Sequence, residues 1–450
     1  MNILILGYGL EGKSVENFFK HDSMLYEHTK IDILKSFEKE ELLFKDFSNY
    51  DLIFRTPSVP PKFIPAPKEK ITSVTKYFFQ NCPAPIIGIT GTKGKGTTCT
   101  FIQKLVSSLA PLTSHVHLVG NIGTPALDIL PEIQKNDIVV YELSSFQLWD
   151  LEKSPQISVI LRIEPDHLDV HENFEEYLSA KSNIVTHQTN QDYCIYFKNN
   201  KNTKKLVDKS KSIKLSYPLK NEINSPEFQQ IISALKIPGP HNVENLEAAL
   251  LATYAYCKKF QNLKESFIDF LKEYKETIIH VVQTLEPLPH HLEFVRTLNG
   301  VAYYDDSFST VSPSLEAALN SFGSLPLVLI VGGKDKGFDL TPAKRLIFSN
   351  PYLIKAVLIG ETAQKLAENE DPEKYVDCGT DFELAIKTAQ KLAEEKLNEE
   401  EMNSDTCLVD AKPDIKTPIV LLSPCASSFD MFESYKARGD IFKQIVNSLK

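Results

Sequence analysis

The chain has 450 residues, 42% apolar and 24% charged, and its 49 Lys+Arg against 59 Asp+Glu leave a net charge of −10. At about 150 residues per domain this is material for two or three globular domains, which excludes a disordered chain, and the acidic balance argues against a surface that recruits nucleic acid. With no apolar run of the roughly 18–20 residues a membrane helix needs, no signal-peptide pattern at Met1–Gly7 and no CxxC pair among the seven cysteines, a soluble cytoplasmic protein is expected.

Short apolar runs alternate with helical patterns through most of the chain, which predicts parallel α/β domains. The first run, Ile3-Leu4-Ile5-Leu6, leads into Gly7-Tyr8-Gly9-Leu10-Glu11-Gly12 and a helical pattern. In this G-x-G-x-x-G turn Gly7 permits the bend, Gly9 lets a pyrophosphate approach the backbone, and the helix N-terminus favours the anion. A second short strand, Met24-Leu25-Tyr26, ends in Glu27, suited to a ribose hydroxyl. Three readings stay open here: an NAD-dependent oxidoreductase, glycines that serve packing alone, or another diphosphate ligand.

After the break Cys82-Pro83-Ala84-Pro85, the strand pattern Ile86–Thr90 runs into Gly91-Thr92-Lys93-Gly94-Lys95-Gly96-Thr97-Thr98 and an amphipathic helix with Phe101, Leu105 and Leu109 on its apolar side. Glycines free the backbone N–H groups to wrap phosphate, and Lys95 brings a positive charge to the β and γ oxygens. The loop departs from G-x-x-x-x-G-K-[ST] twice. Gly91 stands too close to Gly94, and Gly96 replaces the hydroxyl residue after the lysine, so a hydroxyl for Mg²⁺ has to come from Thr97 or Thr98.

Two further strands, Ile138–Tyr141 and Ile157–Leu161, end in Glu142-Leu143-Ser144-Ser145-Phe146-Gln147 and near Glu164-Pro165-Asp166-His167-Leu168-Asp169. Both place metal-ligand types where α/β sheets bind ligands. Mg²⁺ prefers carboxylates, so Glu142 is the better ligand by type and His167 the less usual one. Either alone could be a surface or capping residue; beside a phosphate loop they favour metal–nucleotide chemistry. Lys198–Lys205 reads as a solvated loop, and Asn398–Lys416 as an insertion before the strand Ile419–Leu422. A second proline break, Glu286-Pro287-Leu288-Pro289, completes a division into domains 1–84, 85–286 and 287–450.

In this combination the chain resembles the Mur ligases, the ATP-dependent enzymes that build the peptide of the bacterial cell wall. The resemblance spans essentially the whole chain. It is carried by Gly91–Lys95, Gly120-Asn121-Ile122-Gly123, Glu142–Gln147, Asp166–Asp169, Gly239-Pro240-His241-Asn242 with Asn245, Pro289-His290, Asp305-Asp306-Ser307, Gly332–Gly337 and Ser423–Asp430. Folylpolyglutamate synthetases share the middle of this series, while Gly7–Gly12 and Ser423–Asp430 resemble the D-glutamate-adding members. The resemblance implies an α/β fold of three domains: an N-terminal Rossmann-like unit for a UDP-sugar, a central P-loop ATPase-like unit with a mostly parallel sheet for ATP, and a C-terminal Rossmann-like unit that brings the amino acid.

The implied reaction activates the alanine carboxylate of UDP-N-acetylmuramoyl-L-alanine as an acyl phosphate, which the D-glutamate amine then displaces. Mg²⁺ and Lys95 would neutralise the two anions that must meet. By resemblance Thr97, Glu142, His167 and Lys181 hold metal, Lys181 as a carbamate; Gly9, Leu10, Asn121 and Ser144 contact the UDP-sugar, with the uracil near Glu27 and His28. Gly91 through Thr97 with Asn242, Asn245 and Asp306 would hold ATP, and Thr310, Lys336, Ser428 and Phe429 D-glutamate. A monomer is expected.

Blander readings stand beside these. Asn242 and Asn245 could be a solvated helix face, Lys334 and Lys336 a loop charge pair, Ser428 the N-cap of the last helix, and Lys181 an exposed partner of Glu175 or Glu176. Three positions depart from the family pattern: His291 stands where an arginine is common, Phe308 where a lysine is, and Pro57-Ser58 where Pro-Gly is. Alternatives are a related ADP-forming amide ligase and, from another class, an NAD-binding redox protein or sensor.

Overall fold

The computed structural model describes residues 1–21, 29–219, 224–337, 339–405 and 417–450. The expected strand at Met24–Tyr26, with Glu27 and His28, lies outside the described residues. Contacts divide the chain into a first unit, Met1–Leu235 with Asn242–Leu285, and a second, Lys236–His241 with Glu286–Lys450.

The first unit carries two parallel sheets. β1 (Asn2–Leu6), β2 (Lys30–Leu34), β3 (Leu52–Arg55) and β4 (Ile71–Ser73) are ordered β2-β1-β3-β4. The apolar residues of β1 are buried along its length, as a central parallel strand covered on both faces must be. Its glycine turn depends on missing side chains: a Cβ on Gly7 (φ +89°) would lie 2.3 Å from Thr56 Oγ1, and one on Gly12 would lie 2.3 Å from the Gly7 carbonyl oxygen.

The second sheet holds β5 (Ile86–Thr90), β6 (Val116–Gly120), β7 (Ile138–Glu142), β8 (Ile157–Ile160), β9 (Tyr193–Phe197) and β10 (Ile213–Tyr217), ordered β10-β9-β8-β5-β7-β6 and all parallel. Strand β5 lies between β7 and β8, so the loops after these three strands open side by side at the switch in strand order.

These two sheets share one core. Ser73 caps the helix Val74–Asn81 by accepting from Lys76 N at 3.1 Å, and that helix sets Phe78 and Phe79 against Tyr141 of β7, with ring centroids 5.4 and 5.7 Å away. Ile3, Phe19 and Phe54 belong to the same buried cluster as Val139, Leu148 and Ile184. Arg55, fully buried at the end of β3, donates from Nε to Asp150 at 2.8 Å and from its NH2 nitrogen to Asp150 and to the Phe146 carbonyl.

In the second unit, β11 (Glu293–Leu298) and β12 (Val301–Asp305) form a hairpin over Asn299-Gly300, both at positive φ as a tight two-residue turn requires. With β13 (Leu327–Gly332), β14 (Leu353–Ile359), β15 (Tyr375–Asp377) and β16 (Ile419–Leu422) they give the order β11-β12-β16-β13-β14-β15, parallel except for β11. Leu315 and Ile347 pack in one cluster, Ile386 and Phe442 in another. The helix Tyr435–Ser448 crosses the hydrogen-bonded pair His290 Nδ1–Asp305 Oδ2 (2.7 Å) at Gly439, where a Cβ would lie 2.1 Å from the imidazole and 2.6 Å from the carboxylate.

Three local expectations are corrected. Much of Lys198–Lys205 is not a loop: a helix spans Lys201–Val207, because Asn200 caps it (Thr203 N donates at 2.8 Å) and Leu206 and Val207 are buried. The supposed insertion from Asn398 is helical as far as Asp405, the end of the helix Phe382–Asp405, since its glutamates are good helix formers; residues 406–416 lie outside the described residues. Ser428 is not the cap of the last helix. Ser434 is, accepting from Ala437 N at 3.1 Å.

Two stability predictions follow from the second unit. Gly439→Ala forces a methyl onto a buried ring and should cost about 1–3 kcal/mol, read as a lowered urea midpoint by circular dichroism. Asp306 is buried at the end of β12, and burial raises its pKa to about 7, helped by Asp305 and opposed by hydrogen bonds from Ser423 Oγ (2.8 Å) and Leu292 N (3.2 Å). A carboxyl that binds its proton more tightly when folded stabilises at low pH, and that stability is lost as pH rises from about 4 through 7. Asp306→Asn should therefore gain thermal stability relative to the parent between pH 5 and pH 8; parallel melting profiles would contradict the assignment.

Candidate active site

The loop after β5 leads directly into the helix Lys95–Leu109, whose N-cap, Gly94, adopts φ +81° and offers no side-chain cap. The first-turn amides are thus left for an anion. Gly94 is also sterically required: a Cβ there would lie 2.6 Å from Asn245 Oδ1. Lys95 is half-buried and donates to the carbonyls of Gly91 (3.1 Å) and Thr92 (3.0 Å); burial lowers its pKa, and the charges of Glu142 and Asp166 work against that shift. Lys93 is exposed, and Gly96 and Thr97 occupy the partly exposed first turn.

Glu142 ends β7 with its side chain buried, and one carboxylate oxygen, Oε2, has no hydrogen-bond partner among the described residues. Burial raises its pKa, while Lys95 and a hydrogen bond with Asn121 act to lower it. His167 is exposed and holds positive φ (+54°), with its ring 4.9 Å from Phe146. The helix Phe174–Thr186, capped by Asn173, returns Lys181 to the site fully buried. Its Nζ donates to Thr90 Oγ1 and to the Gly91 carbonyl, both at 3.1 Å, and lies 4.8 Å from the Tyr177 ring centroid. Burial, reinforced by Lys95, pushes its pKa well below that of an ordinary lysine. The exposed-partner reading of Lys181 is therefore excluded.

Lys95, His167 and Lys181 border a cleft of about 230 Å³ that is also lined by Pro57, Gly91, Thr92, Asn121, Ser144, Ser145, Phe146, Asp166 and Tyr177; Glu142 is not part of its lining. A larger cleft, about 510 Å³ beside β4, has its one buried lysine, Lys76, paired with Glu152 and gathers no comparable reactive set. Asn242 and Asn245 lie on the helix Pro240–Phe260 and are buried, which rules out a solvated face. Asn245 Oδ1 accepts from Thr98 Oγ1 (3.3 Å) and its Nδ2 donates to Asn242 Oδ1 (3.3 Å), so the pair braces the phosphate-loop helix. Gly9 and Leu10 are exposed at the first-sheet turn, and a Cβ on Gly9 would meet nothing within 4 Å. Among the described residues no contact explains that glycine.

In the second unit the loops after the adjacent strands β12, β16 and β13 hold the remaining candidates. Asp306 is buried with both oxygens bonded, and Thr310 is half-exposed. Lys336 is exposed with its Nζ 6.0 Å from the exposed Phe429 ring, and Ser428 is buried behind it. These loops are laced together by Lys334 N donating to the Ser427 carbonyl at 2.8 Å. Lys334 forms an ion pair with Glu361 at 2.7 Å.

Near the first-unit cleft His171 carries no local sequence signal, and two further contacts of Thr92 and Tyr177 were not read from the sequence. His171 is buried, stacks on Phe146 (5.3 Å, 10°), lies 4.7 Å from the Trp149 ring and bonds Ser145 Oγ through Nε2 at 2.9 Å. Thr92 Oγ1 bonds Tyr177 OH (3.1 Å) and accepts from Glu164 N (2.9 Å), tying the phosphate loop to the loop after β8. Tyr177 could have been found, because it stands four residues before Lys181 on one helix face.

A model of the Mur ligase middle domain matches residues 89–253. The UDP-N-acetylmuramoylalanine–D-glutamate ligase of Clostridium kluyveri is 34% identical over 430 residues, covering 91% of this chain and 85% of that protein. Its namesake in Ruminiclostridium cellulolyticum is 32% identical, covering 90% and 84%. Among solved structures, MurF ligase of Thermotoga maritima in complex with ADP superimposes with a TM-score of 0.54 at 13% identity, covering 99% of this chain and 95% of that one. Mycobacterium tuberculosis folylpolyglutamate synthase complexed with ADP gives 0.56 at 12%, covering 82% and 94%. These structures share the α/β fold. The chain belongs to the Mur ligase family.

Proposed function

We propose that this Mur ligase joins D-glutamate to UDP-N-acetylmuramoyl-L-alanine at the expense of ATP, which leaves as ADP and phosphate, in the synthesis of peptidoglycan precursors. One observation carries the reading: relatives matching about nine-tenths of the chain bear the D-glutamate-adding name. The cleft agrees with it, since phosphate-loop residues, Lys95, His167 and Lys181 line it and Glu142 lies within electrostatic reach of both lysines. We assign the UDP-sugar to residues 1–84, ATP to 85–286 and the amino acid to 287–450, and expect a cytoplasmic monomer. The Gly7–Gly12 turn then serves the diphosphate of UDP, and no NAD is required.

The chemistry must bring anions together. An alanine carboxylate oxygen attacks the γ-phosphorus, the bond to ADP breaks, and an acyl phosphate results. The D-glutamate nitrogen then attacks the carbonyl carbon, phosphate leaves, and the nitrogen gives up a proton. Amides of Gly91 through Thr97 suit the ATP phosphates, with Asn242 and Asn245 toward adenine and Asp306 toward ribose. Lys95 supplies a fixed positive charge where negative charge accumulates. Gly9 and Leu10 receive the diphosphate, Asn121 and Ser144 the rest of the UDP-sugar, and Thr310, Lys336, Ser428 and Phe429 the amino acid, whose carboxylates Lys336 complements.

The unpartnered, buried Glu142 oxygen fits a cation. Thr97, Glu142, His167 and modified Lys181 would hold Mg²⁺, which when bound neutralises phosphate charge. Lys181 is suited to carbamylation because burial beside Lys95 favours its neutral amine. That neutral nitrogen attacks CO₂, an N–C bond forms as one C=O π pair moves onto oxygen, one proton is lost to solvent, and the neutral amine becomes an anion with two oxygen ligands.

Incubated with UDP-N-acetylmuramoyl-L-alanine, ATP, Mg²⁺ and D-glutamate, the protein should release ADP in step with ligated product, and Lys95→Ala should lose about 10²–10³-fold in kcat with its fold intact. ADP release with another amino acid but none with D-glutamate would overturn the substrate assignment. Lys181→Ala should lose roughly a hundredfold and regain part of it with added short-chain carboxylates. A fully active Lys181→Ala enzyme in CO₂-depleted buffer would exclude the carbamate.

A further inference from the structure

Glu11 stands in the first turn of the helix Leu10–His21, next to the two residues assigned to the UDP diphosphate. Its side chain turns toward the second sheet, where Oε1 accepts from Gln147 Nε2 at 2.8 Å across 136 residues of sequence. The other end of the Gln147 amide faces Ser144: Gln147 Oε1 accepts from Ser144 N (3.0 Å) and from Ser144 Oγ (3.2 Å), and Gln147 N donates back to Ser144 Oγ (3.2 Å). Ser144 lines the reaction cleft and follows Glu142 by two residues.

A glutamine amide has a donor end and an acceptor end, and a partner that can only accept decides which way it points. When ionised, the Glu11 carboxylate is such a partner; burial raises its pKa, and the Gln147 hydrogen bond and the Arg55 charge oppose that shift. With the amide turned round, Ser144 N would face an NH₂ group and lose its acceptor, and the first turn after β7 would lose its capping box. Gln147 is itself buried, so no solvent replaces the lost bond. Arg55, buried beside the same junction, holds the neighbouring Phe146 carbonyl and Asp150 but does not touch Gln147.

We propose that Glu11 is a positioning residue for the ligation: by orienting Gln147 it fixes Ser144 in the cleft, so the turn that receives the UDP-sugar also sets the loop where its alanine reacts. The proposal rests on the function assigned above. The same relay makes the two halves of the nucleotide-sugar site interdependent, since Glu11 cannot shift with its helix without moving Ser144.

The test uses the full-length enzyme and the variants Glu11→Ala, Glu11→Gln, Gln147→Ala and the double variant Glu11→Ala/Gln147→Ala. Glu11→Ala should lower kcat at saturating UDP-N-acetylmuramoyl-L-alanine by at least about tenfold, with KM for ATP within about twofold. Glu11→Gln, whose amide oxygen can still accept from Gln147, should stay within about threefold of the parent, and the double variant should be no worse than the poorer single one. Hydrogen exchange of the segment 142–149 should quicken in Glu11→Ala and Gln147→Ala but not in Glu11→Gln. Unchanged kcat and exchange in Glu11→Ala, or losses that multiply in the double variant, would overturn the relay. A parent enzyme inactive with D-glutamate would instead sink the functional assignment, while the exchange comparison would still decide whether Glu11 orders Ser144. Should Glu11→Ala fail to fold, Gln147→Ala against Glu11→Gln reads the same relay, and a Glu11→Gln enzyme as impaired as Gln147→Ala would refute it.

Discussion

Two lysine side chains from different helices, Lys95 and Lys181, donate to the same carbonyl oxygen, that of Gly91, each at 3.1 Å. Their nitrogens are therefore no more than about 6 Å apart, and two unit charges at that separation repel by about 3 kcal/mol at an effective dielectric constant of 20. The nearby acids that offset this are Glu142 and Asp166, and Glu142 is itself disfavoured as an anion by burial. A site in this balance is relieved when an anion arrives or when one amine gives up its proton. The positive φ of Gly94, the brace from Asn245 and the Thr92–Tyr177 bond all serve to keep that carbonyl and its two donors in register.

Much of this was legible in the sequence because it is local. A buried strand, a glycine loop and an amphipathic helix follow one another within some twenty residues around Lys95, and Glu142 and His167 were singled out because parallel sheets bind ligands at the carboxyl ends of their strands. Lys181 was brought to this neighbourhood by the family resemblance, since its own segment also allowed an exposed partner of Glu175 or Glu176; the structure buries it. What failed was also local, but ambiguous: Ser428 and Ser434 are both plausible caps, and only the turns through Asp430–Ser434 decide between them. Asn242 and Asn245 look like a wet face until the phosphate-loop helix is laid against them. Glu11, Arg55 and His171 gave no signal, since their partners stand 136, 95 and 26 residues away or act through stacking.

The departures at His291 and Phe308 turn out to be one structural event. The two rings stack at 4.0 Å and 27°, and Phe308 in turn meets Tyr435 edge-on at 5.2 Å. Burial lowers the His291 pKa, and its Nδ1 is engaged by the Pro289 carbonyl at 2.8 Å. A positive charge restored at either position alone would sit against an aromatic face with no carboxylate bonded to it, so the pair is best regarded as a single replacement of charge by stacking.

Trp149 is the sole tryptophan of the chain, and it sits between Phe146 and the buried His171, with the Arg55 guanidinium 5.8 Å from its ring. The indole therefore belongs to the loop that bears Ser144 and Gln147, within reach of a guanidinium and an imidazole that both influence excited-state decay. The protein carries an intrinsic optical probe at the junction of its first two sheets, and emission collected at tryptophan wavelengths reports on that junction alone, with no label and no contribution from the second unit.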